Sequence, residues 1–229
     1  MKHYKRITLS LALLVASLIP ATVTAQSREY IREAISEIGE CRNVAITRTG
    51  GDLMIYGKNG VYQYGCPASL VAELEELNEE NHYIDDVQIT ENGRWIILYD
   101  DNGVVWNNIP KSLERKIRAW NEEGERIDAI TLNDDGDWVI VGQTKYSASS
   151  QDFMDWLEEG ERNHGELWTV CMTDDAMVAV YSRGYQFIGD VPYSLKEALS
   201  NTTLDVYRLK IAGTSWFFAN KSGQYQYKM

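Results

Sequence analysis

The segment Val87-Gln-Ile-Thr-Glu-Asn-Gly-Arg-Trp95-Ile-Ile-Leu-Tyr99 returns 43 residues later as Ile130-Thr-Leu-Asn-Asp-Asp-Gly-Asp-Trp138-Val-Ile-Val141. An earlier copy, Val44-Ala-Ile-Thr47 followed by Gly50-Gly51 and Leu53-Met-Ile-Tyr56, lies the same 43 residues upstream. A fourth copy starts at Val170 and a fifth near Arg208, with Trp216-Phe-Phe218 in the slot of Trp95 and Trp138. Self-similarity at this period is the mark of a repeat architecture, in which each unit hides an apolar face on its neighbours.

Within a unit the order is constant. A short alternating apolar run, read as a strand, meets a polar turn such as Asn133-Asp-Asp-Gly136, and a stronger apolar run follows. Lys58-Asn-Gly60 and Asp101-Asn-Gly103 then mark a second hairpin, and Asn-Gly there predicts a two-residue type I′ turn. After a third strand the period changes. Pro67, Pro110 and Pro192 each open a Pro-x-Ser-Leu motif, and proline fits the first turn of a helix because its missing N–H has no partner there. Leu70, Leu74 and Leu77, and likewise Leu113, Ile117 and Trp120, fall at i, i+4, i+7 and form one helical face. Gln151 takes the proline slot in the third unit, whose helix carries Phe153, Met154, Trp156 and Leu157.

The fold class predicted is therefore an α+β repeat protein of about five βββα units. Residues 208–229 supply strands without a helix, while Ile31, Ile35 and Ile38 form a helical stripe with no strands before it. The expected solution is a propeller-like closed ring with its fifth unit split between the two ends; a capping helix on an open array is the plainer alternative. The unit boundaries are 44–86, 87–129, 130–169, 170–207, and 208–229 together with 26–43, within a single domain spanning 26–229.

Residues 1–25 read as a secretory signal peptide. Lys2, Lys5 and Arg6 precede an apolar run from Ile7 to Ile19, and Val23-Thr-Ala25 places small residues at a cleavage site. With no cysteine at that site, the expectation is an exported periplasmic or extracellular protein without a lipid anchor. The formal net charge is −12, and losing those three basic residues takes it to −15. A chain this acidic lacks the basic face that nucleic acid and anionic membranes require, so neither is an expected partner.

The pattern Trp95-Ile-Ile-Leu-Tyr-Asp-Asp-Asn-Gly103 with Ile109-Pro-Lys-Ser-Leu113 resembles exported bacterial β-hairpin/helix repeat proteins with units of the form Trp-Val-Ile-Leu-Tyr-x-x-Asn-Gly…Ile-Pro-x-x-Leu. The resemblance covers most of residues 26–229, although the first unit lacks the tryptophan and the third lacks Asn-Gly and proline. It implies no catalytic residue and no cofactor. The five-unit count is also similar to the pentein architecture, a likeness of fold that carries no function.

Candidate chemistry is sparse. Cys41 falls in a slot shared with Ile84 and Ile127, and Cys66 in one shared with Ile109 and Val191, so both read as small buried hydrophobes, with a Cys41–Cys66 disulfide as the alternative. Cys171 aligns with Ala45, Gln88 and Thr131 on a more exposed face, and His164 is the one base near it in sequence. Asn133-Asp-Asp-Gly-Asp137 is rich in oxygen but lacks the spacing of a calcium loop, so it reads as a turn and no metal site is expected. Asp85, Asp86, Asp100 and Asp101 offer carboxylate pairs of the kind glycosidases use. Glu73, Glu75, Glu76, Glu79 and Glu80 give one helix an acidic face suited to solvent or to a basic partner.

Aromatic residues are the remaining candidates. Trp95, Trp138 and Trp216 share a core slot. Tyr62, Tyr64, Trp106, Tyr146, Tyr185, Tyr225 and Tyr227 fall on third strands, where they pack the sheet or contact a ligand. No unit is seen to carry unique polar residues at repeat-equivalent core positions, as an active site would. The reading is a secreted, non-enzymatic binding or scaffold protein for an extracellular or envelope protein or glycan. The alternative is a hydrolase of an extracellular polymer acting through paired carboxylates.

Overall fold

The computed structural model describes residues 20–229, with side chains from residue 26, so the expected signal segment lies largely outside the described residues. Helix α1 (Pro20–Ile38) precedes β1 (Asn43–Ala45), β2 (Asp52–Tyr56) and β3 (Gly60–Tyr64). Helix α2 (Ala68–Glu79) leads into β4 (Ile84–Ile89), β5 (Trp95–Tyr99) and β6 (Gly103–Asn107). Helix α3 (Lys111–Glu123) leads into β7 (Ile127–Leu132), β8 (Trp138–Gly142) and β9 (Tyr146–Ala148). Helix α4 (Gln151–His164) leads into β10 (Leu167–Met172), β11 (Ala176–Tyr181) and β12 (Gly184–Gly189). Helix α5 (Tyr193–Asn201) leads into β13 (Arg208–Ala212), β14 (Ser215–Ala219) and β15 (Tyr225–Lys228). The fold is α+β: among the described residues there are five helices and five three-stranded antiparallel sheets, each sheet in chain order, consistent with five repeated units.

Strand pairing gives the repeat its register. Val44, Val87, Ile130, Val170 and Leu209 occupy one slot, opposite Met54, Ile97, Ile140, Ala179 and Phe218. Two local expectations are corrected. The prolines stand just before their helices rather than in the first turn: Pro67, Pro110 and Pro192 have extended ψ of 134°, 136° and 131°, and each carbonyl accepts from the opening turn. The Asn-Gly pairs do not form type I′ turns. Positive φ falls earlier, at Gly57 (54°) and Asp100 (50°), and Gly60 and Gly103 are strand residues. Glycine is needed there for a close approach, because a Cβ would meet the Tyr56 ring at 2.5 Å and the Tyr99 ring at 2.4 Å.

Each helix fills the space between two successive sheets. Leu70, Leu74 and Leu77 of α2 pack with Leu53 and Ile55 of the first sheet and with Val87 and Ile97 of the second. The same arrangement recurs around α3, α4 and α5. Ile31, Ala34 and Ile35 of α1 pack with Val44 and Met54 of the first sheet and with Phe217 and Ala219 of the last, so the opening helix rests on the closing strands. Burial of an isoleucine of this kind is worth about 1.5–3 kcal/mol.

Trp95, Trp138 and Trp216 are core residues, and each indole Nε1 donates at 3.0 Å to the serine of the preceding Pro-x-Ser-Leu motif: Ser69, Ser112 and Ser194. In the first sheet that slot holds Asp52, fully buried and ion-paired with Arg28 of α1. Arg28 Nη2 also donates to the Thr47 carbonyl at 2.7 Å, and Asp52 accepts from the Thr47 N–H at 3.0 Å. The first strands touch in succession, β1 with β4, β4 with β7, β7 with β10 and β10 with β13, and β13 also contacts β1.

Candidate binding site

The facing positions of the first strands carry a buried polar group that sequence reading did not find. In one slot stand Asn43, Asp86, Ala129, Thr169 and Arg208; two residues on, Ala45, Gln88, Thr131, Cys171 and Lys210. Lys210 Nζ contacts Asp86 Oδ1 at 2.6 Å and donates to the Val87 carbonyl at 3.2 Å, while Asn43 Nδ2 donates to the same Asp86 oxygen at 2.7 Å. Arg208 Nη2 meets Asp85 at 2.6 Å. Lys210 of β13 is thus the single charge in its slot, and Asp86 of β4 and Arg208 of β13 are the two charges in theirs, whereas Asp85 shares its repeat position with Arg42 and Asp128. This corrects the expectation that no unit breaks the repeat with unique polar core residues. Cys171, expected on a more exposed face, is buried, and in its slot Ala45, Thr131 and Lys210 are buried too while Gln88 is half-buried. The available signal was the lysine itself, charged where four aligned residues are not. Ionic groups this deep are tolerated only when paired and hydrogen-bonded.

At the strand starts, a cleft of about 620 Å³ opens between the β5–β6 and β14–β15 hairpins, with walls from units 1, 2, 4 and 5. Arg42 is held there by the carbonyls of Gly57 and Ile84 at 2.5 Å and by the Tyr83 hydroxyl at 2.7 Å, and its guanidinium lies 4.2 Å over the Tyr83 ring. Arg208 is matched by Asp85 and Arg126 by Asp128. Two exposed lining residues have no ion-pair partner among the described residues: Asp101, and Lys221, whose Nζ sits 4.1 Å over Tyr207. Tyr207 also stacks on Trp168 at 4.7 Å, so this ring is already engaged by two neighbours. What the cleft presents exposed and without a charged partner among the described residues is the Asp101 carboxylate and the Lys221 ammonium.

The rim carries His82 between two carboxylates, Asp100 at 2.5 Å and Glu80 at 3.1 Å. The hydrogen bond to Asp100 is the largest influence raising the imidazole pKa. The Tyr83 N–H and His82 hold Asp100 below its ordinary value. Of the four carboxylates expected to form catalytic pairs, Asp85, Asp86 and Asp100 are thus committed to Arg208, Lys210 and His82, and only Asp101 faces the cleft without such a partner.

None of the seven predicted aromatic contacts lines this cleft. All are half-buried on third strands against helices. Tyr62, Tyr225 and Tyr227 pack around α1, and Tyr64 lies 5.4 Å from Tyr30 of the same helix. Trp106, Tyr146 and Tyr185 are dispersed to the cores around α3, α4 and α5. The three cysteines are free thiols, and Cys41 and Cys66 belong to different cores, which removes the disulfide alternative. Burial pushes Cys41 and Cys66 up to about 12 and Cys171 to about 11.

The acidic turns link one unit to the next. Glu91 accepts from the N–H groups of Arg48 and Thr49, Asp134 from Asn92 at 3.0 Å, and Asp174 from Asp134 at 2.9 Å. Arg48 then bridges back to Asp175 at 2.9 Å. Among the described residues no group of three or more His, Cys, Asp or Glu could hold a metal ion, and no helix is long and apolar enough to cross a membrane. No protein-family model matches the chain, and a search of curated proteins finds no similar one.

Proposed function

We propose that the chain is an exported binding protein whose five units close into a propeller-like ring, with the cleft at one end of that ring as its ligand site. The observation that carries this reading is the cleft itself: four units contribute to it, and it displays Lys221 and Asp101 unmatched beside arginines held rigid by carbonyls and carboxylates. Preset charge of both signs favours a polar, hydroxyl-rich or peptidic ligand, an extracellular or envelope protein or glycan. Ring closure is supported by α1 packing on the last sheet, by the β1–β13 contact and by the Arg48 bridge between units 1 and 4. Export is supported by the N-terminal sequence and by the resemblance to exported repeat proteins.

The test is a glycan array together with immobilised envelope fractions, each read with the wild type, Lys221→Glu and Asp101→Ala. Saturable binding that both substitutions weaken supports the cleft. Binding indifferent to both removes it, and turnover of a chromogenic glycoside replaces a binding protein with a hydrolase. Deleting residues 26–42 tests the ring: the remainder should lose cooperative unfolding, and unchanged stability would leave an open array.

A further inference from the structure

A second groove, separate from the cleft, runs along β3 between α1 and α2 with a volume of about 640 Å³. Its walls combine Tyr30, Tyr56 and Tyr62 with Glu75 and Glu79, and no lysine or arginine lines it. Tyr30 and Tyr62 stack with ring centroids 4.8 Å apart. Asn59 and Asn78 brace its edge through reciprocal amide-to-carbonyl bonds of 3.1 and 2.9 Å.

The repeat itself shows what such a seam accommodates. In unit 2 the helix supplies its own cation, Arg118, whose guanidinium lies 5.2 Å over Trp106. In unit 4 Lys196 lies 5.5 Å over Phe187, which occupies the strand slot of Trp106. In unit 1 the residues equivalent to Arg118 and Trp106 are Glu75 and Gln63, each 43 positions earlier, so this groove has carboxylates and no internal cation, and its aromatic faces come instead from Tyr30, Tyr56 and Tyr62.

We propose that this groove receives a lysine or arginine side chain from a basic segment of a partner protein. Carboxylates supply the charge, and the electron-rich faces of the tyrosines supply cation–π attraction. The −12 charge of the chain draws such a segment in at long range.

Anisotropy of a fluorescein-labelled, end-blocked hexalysine peptide tests this on the purified protein. Because any acidic surface attracts hexalysine, Glu158→Gln/Glu159→Gln on α4 is the charge-matched control. Glu75→Gln/Glu79→Gln should weaken binding about tenfold, and the control less than about twofold. Tyr62→Val, which installs the residue found at the equivalent Val105, should weaken binding about threefold or more. Glu75→Arg, which restores the internal cation of unit 2, should abolish binding while the unfolding midpoint is kept. Equal losses in the control and the groove variant, undiminished binding by Glu75→Arg, or no binding by the wild type would each overturn the assignment.

Discussion

The indole Nε1 of Trp138 donates to the Ser112 hydroxyl across 3.0 Å, joining the start of one helix to the second strand of the next sheet. Trp95 with Ser69 and Trp216 with Ser194 make the same bond. The two most regular motifs of the repeat, Pro-x-Ser-Leu and the strand tryptophan, are therefore two halves of one contact. Ser112→Ala leaves a buried indole N–H without its acceptor, and urea unfolding should register a loss of about 1–3 kcal/mol. Ser222→Ala, on the exposed β14–β15 turn, should stay within about 0.5 kcal/mol.

Where the first sheet has Asp52 in place of tryptophan, the helix offers Arg28 in place of serine. Arg28→Met strands a buried carboxylate, and the expected cost is about 3–5 kcal/mol. The double variant Arg28→Met/Asp52→Leu should recover most of it. Thermal unfolding of the three proteins gives the coupling directly, and additive losses would mean that the helix is not docked through this pair.

Lys210 and Asp86 meet 124 residues apart in sequence, each with its side chain no more than 5% exposed. Lys210→Met should cost about 3–5 kcal/mol, and Lys210→Met/Asp86→Asn clearly less, because the first leaves an unpaired buried charge and the second leaves none. Chemical denaturation of the double-mutant cycle measures the difference.

His82 and Asp100 set a pH window. The histidine pKa is raised, so its contribution is fully present below its unfolded value near 6.5 and is lost as pH rises through the folded value. The aspartate pKa is lowered, so its contribution is present above its unfolded value near 3.8 and is lost as pH falls through the folded value. An NMR titration should place the His82 midpoint above 6.5 and return it toward that value in Asp100→Asn. An unshifted His82 in the wild type would contradict the contact.

Most of the architecture was legible because it rests on short-range chemistry. Alternation at Trp95–Tyr99, the leucine stripe at 70, 74 and 77, and the stop-and-turn residues between them act within a few neighbours along the chain. The turn types were misjudged for a tertiary reason: Gly60 and Gly103 serve the approach of Tyr56 and Tyr99, not a positive φ. The aromatic third strands were recognised, but their grouping was not. Tyr62, Tyr225 and Tyr227 share one core only because α1 joins the first sheet to the last.

By itself the sequence determined the five hairpin-and-helix units, since apolar periodicity that recurs at 43 residues from Val44 to Val87 to Ile130, and slightly sooner at Val170 and Leu209, permits few other ways to bury each face. Only the tertiary structure decided which charges meet. A lone lysine in an alternating strand reads as solvent-facing, and nothing local to Lys210 names Asp86 as its partner. That pairing exists because strands from the second and fifth sheets approach closely enough to exclude water, which leaves each buried charge stable only opposite the other.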